Sequence, residues 1–142
     1  MERAIRRLAA VARLIAPLCR TRQSQHSPPP PMTETVLHDL ESFSQSIARN
    51  VRVLLFKHSP QCPISHAARE EYESFRRHNP DVPTMFVDVI DDRAVARGLA
   101  DLCGVRHESP QAIVFEQGKP VWNASHRAIT RGSLEAAWGC KC

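Results

Sequence analysis

From Thr33 onward, apolar and polar positions fall into blocks that each predict one element. Val36-Leu37-His38 is short enough for an edge strand. Asp39 is placed to cap a short helix that carries Leu40, Phe43 and Ile47 on one face and ends near Asn50. Residues 51–57 are mostly apolar, the pattern of a central strand buried on both faces. His58-Ser59-Pro60-Gln61 predicts a turn, and a helix follows from about Cys62 or Pro63, since proline suits a first helical position. Its apolar stripe is Ile64, Ala67, Ala68, Tyr72 and Phe75, and Asn79-Pro80 stops it.

Residues 84–90 predict a second buried strand. Val95, Leu99, Leu102 and Cys103 form another helical stripe, closed by Gly104. Gln111–Glu116 and Lys119–Ala124 flank Gln117-Gly118 and predict a hairpin, with Pro120 confining its second strand to an edge. Trp122 is expected to pack on that hairpin, and Cys103 in the core. Thr130 can cap a last helix bearing Leu134, Ala137 and Trp138. The order is β-α-β-α-β-α-β-β-α, an α/β domain with parallel crossovers first and an antiparallel hairpin last.

Charge divides the chain. Of a net +4, residues 1–32 contribute +5 through six arginines against Glu2, so the remainder is −1 and has no basic excess with which to bind phosphates. That argues against a nucleic-acid partner. The apolar stretch from Leu8 to Cys19 is broken by Arg13 and too short to span a bilayer. Pro28 to Pro31 form a stiff linker before Met32. Residues 1–32 are therefore expected to be a disordered basic, proline-rich extension, the alternatives being that residues 1–31 are upstream sequence before a start at Met32 or a targeting segment. Residues 33–139 form the domain, and 140–142 a mobile tail. Five cysteines without framework spacing favour a reducing compartment.

The chemistry gathers at Cys62. It follows a buried strand and opens a helix, where backbone N–H groups and the helix dipole favour a thiolate. Lys57, His58 and His66 stand close in sequence and could add to this. Three residues on is Ser65, so Cys62-Pro63-Ile64-Ser65 has no second thiol to resolve a mixed disulfide within the motif. The Ser65 hydroxyl could bond the thiolate or satisfy the helix start. Ser109-Pro110 is a candidate cis peptide facing the nucleophile. His58, His107 and His126 lie in loops expected near Cys62. No paired metal-ligand spacing accompanies them, so no metal is expected, and His107 and His126 are candidates for ordering the loop or binding a small thiol. Cys140 or Cys142 could resolve a Cys62 disulfide, capture a metal, or be idle.

Four strings carry a resemblance: residues 56–65, Val87-Asp-Val-Ile90, residues 104–111, and Ala124-Ser-His126 with Ile129-Thr130. Over residues 33–138 the chain resembles the YtxJ family of monothiol bacilliredoxins. The resemblance implies a thioredoxin-like fold, Cys62 as nucleophile and a cis Pro110. It also implies a thiol–disulfide oxidoreductase that removes bacillithiol from protein mixed disulfides. Gln61 and Asn123 depart from residues common in the family. The expected partners are bacillithiolated proteins and a low-molecular-weight thiol or thiol reductase, with bacillithiol as substrate and no bound cofactor. A cytoplasmic monomer is expected. Glutaredoxin-like exchange with another small thiol, or a redox-inactive thioredoxin-fold binding module, are the alternatives.

Overall fold

The computed structural model describes residues 33–139. The expected extension over residues 1–32 and the tail with Cys140 and Cys142 lie outside them. The elements are β1 (Glu34–Val36), α1 (Leu40–Arg49), β2 (Arg52–His58), α2 (Pro63–His78), β3 (Thr84–Asp88), α3 (Arg93–Cys103), β4 (Gln111–Glu116), β5 (Lys119–Ser125) and α4 (Arg131–Trp138), with a 3-10 turn over His126–Ala128. The order matches expectation apart from that turn.

The strands form one sheet in the order β1-β3-β2-β4-β5. β1 and β2 pair parallel with β3, and β4 runs antiparallel to both β2 and β5. The near-continuous apolar run of β2 thus lies at the sheet's centre. β5, which contains Pro120, takes an edge, where a missing N–H leaves no buried carbonyl unpaired.

Alternation along β2 divides the core in two. Val53 and Leu55 face α1 and α3 with Phe43, Val95, Leu99, Ile113 and Phe115. Leu54 and Phe56 face α2 and α4 with Tyr72, Phe75, Val114 and Leu134. Burying each such side chain contributes about 1.5–3 kcal/mol before conformational entropy is charged against it. Trp122 packs against the second cluster and Cys103 against the first, both as expected.

The caps follow the sequence. Ser42 N–H donates to Asp39 Oδ1 at 2.6 Å, and Gly104 closes α3 at φ 66, a left-handed conformation that suits glycine. Three expectations shift. The first strand is Glu34–Val36 and not Val36–His38, because its ladder runs opposite Thr84–Phe86. Leu37 follows it, fully buried, and donates its N–H to the Phe86 carbonyl. The strand expected over residues 84–90 stops at Asp88, whose carboxylate caps a turn by accepting from the N–H groups of Ile90 and Asp91. Leu102 points outward, 61% exposed, so the α3 stripe runs through Val95, Leu99 and Cys103.

Candidate functional site

Register brings the candidate residues to one end of the sheet. His58, the last residue of β2, pairs with Asp88, and Lys57 pairs with Gln111, the first residue of β4. Gln111 in turn pairs with Ser125, the last residue of β5. The loop carrying Cys62, the Ser109-Pro110 bond and His126 therefore leave the sheet from the same end. The Ser109-Pro110 peptide is cis, as expected.

Cys62 is the N-cap of α2 and partly exposed. Its carbonyl accepts from the N–H groups of Ser65 and His66, at 3.0 and 3.2 Å. Pro63 has no N–H to offer. Ile64 therefore brings the remaining amide of the first turn, in the position where an N-cap acceptor is normally met. A sulfur anion at this point meets the positive end of a helix of 16 residues.

The first turn of α2 also holds the loop before it. Ser59 N–H donates to Ser65 Oγ at 2.8 Å, Cys62 N–H donates to the Ser59 carbonyl at 3.2 Å, and His66 Nε2 meets the Pro60 carbonyl at 2.8 Å. Ser65 Oγ lies 3.0 Å from His58 Nδ1 as well. The fully buried hydroxyl is thus occupied by the loop and by His58. Of the roles open from sequence, thiolate contact or helix start, the observed contacts match neither; the hydroxyl ties strand, loop and helix together.

Lys57 and His58 are neighbours in sequence that point to opposite faces. His58 lies on the α2 face among Phe56, Phe86 and the edge of His66. Lys57 lies on the α3 face, fully buried, with Nζ 3.5 Å from both the Ala96 carbonyl and His107 Nδ1. Burial lowers the Lys57 amine to about 8, opposed by the Cys103 thiol. Burial raises Cys103, and Lys57 pulls it back. Burial also lowers His107, assisted by Lys57 and Arg97.

The two histidines paired in the sequence reading separate. His107 lines an open cavity over the end of α3 with Arg97, Asp101 and Arg106. His126 lies on the α2 side, where it lines a groove of about 240 Å³ with Ile64, Ala67 and Arg127. Its N–H donates to the Pro110 carbonyl at 3.1 Å, and its φ is 54. His126 is therefore the histidine joined directly to the cis proline. Beside that proline, Ser109 Oγ and Gln111 Oε1 have no partner among the described residues, while Gln111 Nε2 donates to the Arg106 carbonyl. Sequence reasoning missed the partnership of His58 with Ser65; polar residues closing a strand and opening the next helix across a short turn were its one signal. Among the described residues, no cluster of three or more His, Cys, Asp or Glu could hold a metal ion, and no helix is long and apolar enough to cross a membrane.

Residues 35–134 match the family model described as monothiol bacilliredoxin BrxC. A solved structure described as a candidate oxidoreductase with a thioredoxin fold superposes with a TM-score of 0.70 at 34% identity, covering 74% of this chain and 93% of that one. The X-ray structure of Fasciola hepatica thioredoxin superposes at 0.60 and 18% identity, covering 72% and 94%. The oxidised thioredoxin of Plasmodium falciparum gives 0.58 and 15%, covering 74% and 94%. The last two share the fold, which is thioredoxin-like.

Proposed function

This chain belongs to the monothiol bacilliredoxin family, and from that premise we propose that Cys62 removes bacillithiol from protein mixed disulfides. The observation that carries the proposal is a partly exposed cysteine at the N-cap of α2 with a buried serine three residues on. The position brings the sulfur to the start of a helix, and the serine leaves no thiol in the motif to displace what the cysteine has captured.

The Cys62 thiolate attacks the bacillithiol sulfur of the mixed disulfide. The old S–S bond breaks, the substrate protein leaves as a thiolate that takes a proton from water, and a new S–S bond joins Cys62 to bacillithiol. A second thiol, from a low-molecular-weight thiol or a thiol reductase, then attacks the bacillithiol sulfur and returns Cys62 as a thiolate. That second thiol carries the oxidation away. The groove between Ile64 and His126 lies next to Cys62 along α2 and is our candidate seat for the small thiol. The edge at Ser109 and Pro110 is our candidate for the substrate backbone. The reading implies a cytoplasmic monomer with no bound cofactor.

Transfer from a bacillithiolated test protein, followed by intact mass, tests it. Wild type should gain one bacillithiol on Cys62, and Cys62→Ser none. Uptake of glutathione in preference to bacillithiol would retain the nucleophile and overturn the small-thiol assignment. Inertness of Cys62 toward both would favour a redox-inactive binding module.

A further inference from the structure

Serine within a helix commonly turns its hydroxyl back onto the carbonyl of the preceding turn. Ser65 instead faces the loop ahead of its helix, where it meets Ser59 N–H and His58 Nδ1. The group that decides how these bonds are arranged is His58, 2% exposed, which the reaction above does not use.

A serine hydroxyl has one proton and two acceptor sites. Ser59 N–H fills one acceptor site at 2.8 Å. If His58 Nδ1 is unprotonated, the Ser65 proton goes to it across 3.0 Å, and Ser59 N–H, Ser65 Oγ and His58 Nδ1 are all paired. If Nδ1 carries a proton, it must donate to Ser65 Oγ, and the Ser65 proton is left without an acceptor in a fully buried position. Pairing of the buried Ser65 hydroxyl therefore selects neutral His58 with its proton on Nε2.

The net effect of the groups around His58 favours the neutral ring. Arg69 and His66 face it from α2 and Asp88 from β3. Burial holds His58 below the ordinary histidine range and Arg69 and His66 lower it further, while Asp88 and a backbone hydrogen bond to Ser65 oppose them.

We propose that His58 is a positioning residue for the Cys62 reaction: through Ser65 it fixes the Ser59–Cys62 loop in the conformation that presents the sulfur. The loop is short, and Ser59 is its first residue after β2. Ser59 N–H is held by Ser65 while the Ser59 carbonyl holds Cys62 N–H, so the chain of bonds runs from His58 to the backbone of the nucleophile. Protonating His58 turns its acceptor into a donor and forces the Ser65 bonds to rearrange. The inference deepens the reading of Cys62 as nucleophile and rests on it.

The test follows alkylation of the full chain by iodoacetamide, read at Cys62 by peptide mass spectrometry, in wild type, His58→Asn and His58→Phe. The asparagine amide oxygen stands near the Nδ1 position and does not titrate. At neutral pH His58→Asn should react within about threefold of wild type and His58→Phe about tenfold more slowly, the fold-change of one lost hydrogen bond. As pH falls below the ordinary histidine range the ratio of wild-type to His58→Asn rates should drop about tenfold, since wild type alone loses its acceptor. Imidazole nitrogen shifts in the unsubstituted protein should show the His58 proton on Nε2 at neutral pH. A ratio that stays constant with pH, or a proton on Nδ1, overturns the proposal. Iodoacetamide makes no use of bacillithiol. A falling ratio without bacillithiol transfer would overturn the substrate assignment alone, and a constant ratio with intact transfer would overturn the role of His58 alone.

Discussion

Lys57 brings an amine to a position with no accessible surface, and among the described residues it is met by two contacts at 3.5 Å. A buried charge so weakly compensated destabilises the fold. Its unfolded value is 10.5 and its folded value about 8, so between these the unfolded chain binds more protons and stability rises with pH. Lys57→Met keeps a similar volume without the charge and should stabilise the protein by about 1–3 kcal/mol near pH 7. The difference between the two proteins should shrink by about pH 9.5, as wild type sheds the proton. Urea unfolding at the two pH values measures this, and an unchanged difference would contradict it. His107 behaves with the same sign in a lower window: its folded value is depressed, so its contribution is full above the ordinary value of 6.5 and lost as pH falls below it. The placement of Cys62 at a helix start was legible at this scale, because it follows from an apolar run, a turn and a proline. The orientation of Lys57 was not, since alternation says that neighbours diverge and not which helix each will meet.

β1 has only three residues and lies at the sheet edge, so its ladder to β3 is short. What holds it is a side-chain network. Tyr72 O–H donates to Glu34 Oε1 at 2.7 Å, and Arg76 Nη1 lies 3.4 Å from the same oxygen. Burial, then the Glu34 carboxylate, push the Tyr72 phenol well above its usual range, so it remains a donor. Tyr72→Phe should cost about 1–2 kcal/mol. Amide exchange should speed up first across Glu34–Val36; protection there equal to wild type would count against the network. At the other end of the chain α4 has a full capping box. Ser133 N–H donates to Thr130 Oγ1 at 3.1 Å, and Thr130 N–H donates to Ser133 Oγ at 3.0 Å. Thr130→Ala should cost about 1 kcal/mol, read from the urea midpoint, and a change near zero would mean that tertiary packing alone holds α4. Caps are written in adjacent residues and were legible. The limits of β1 were not, because the partner strand and the Tyr72 contact lie 38 or more positions away.

The two apolar clusters share one sheet, with β2 contributing alternate residues to each. A lesion on one face should therefore weaken the other. Trp122 and Trp138 both pack against the α2–α4 cluster, whereas Leu99 is buried in the α1–α3 cluster. Leu99→Ala should cost about 2–5 kcal/mol, and tryptophan emission should report the same midpoint as helical circular dichroism. Separate midpoints would mean that the two faces unfold independently. At this scale the sequence set the element order and the central place of β2, since a mostly apolar strand is stable only when covered on both sides.

The sequence by itself determined the succession of elements, the caps at Asp39 and Thr130, the hairpin and the placement of Cys62 at a helix start. Each depends on residues within a turn or two of one another, where propensity, periodicity and capping chemistry act. Tertiary structure decided which polar groups meet: His58 with Ser65, Lys57 with His107, His126 with the Pro110 carbonyl. It also separated His107 from His126, which the sequence reading had paired. Such meetings depend on strand register and on which face of the sheet each helix covers. Those are properties of the closed fold, and no local pattern encodes them.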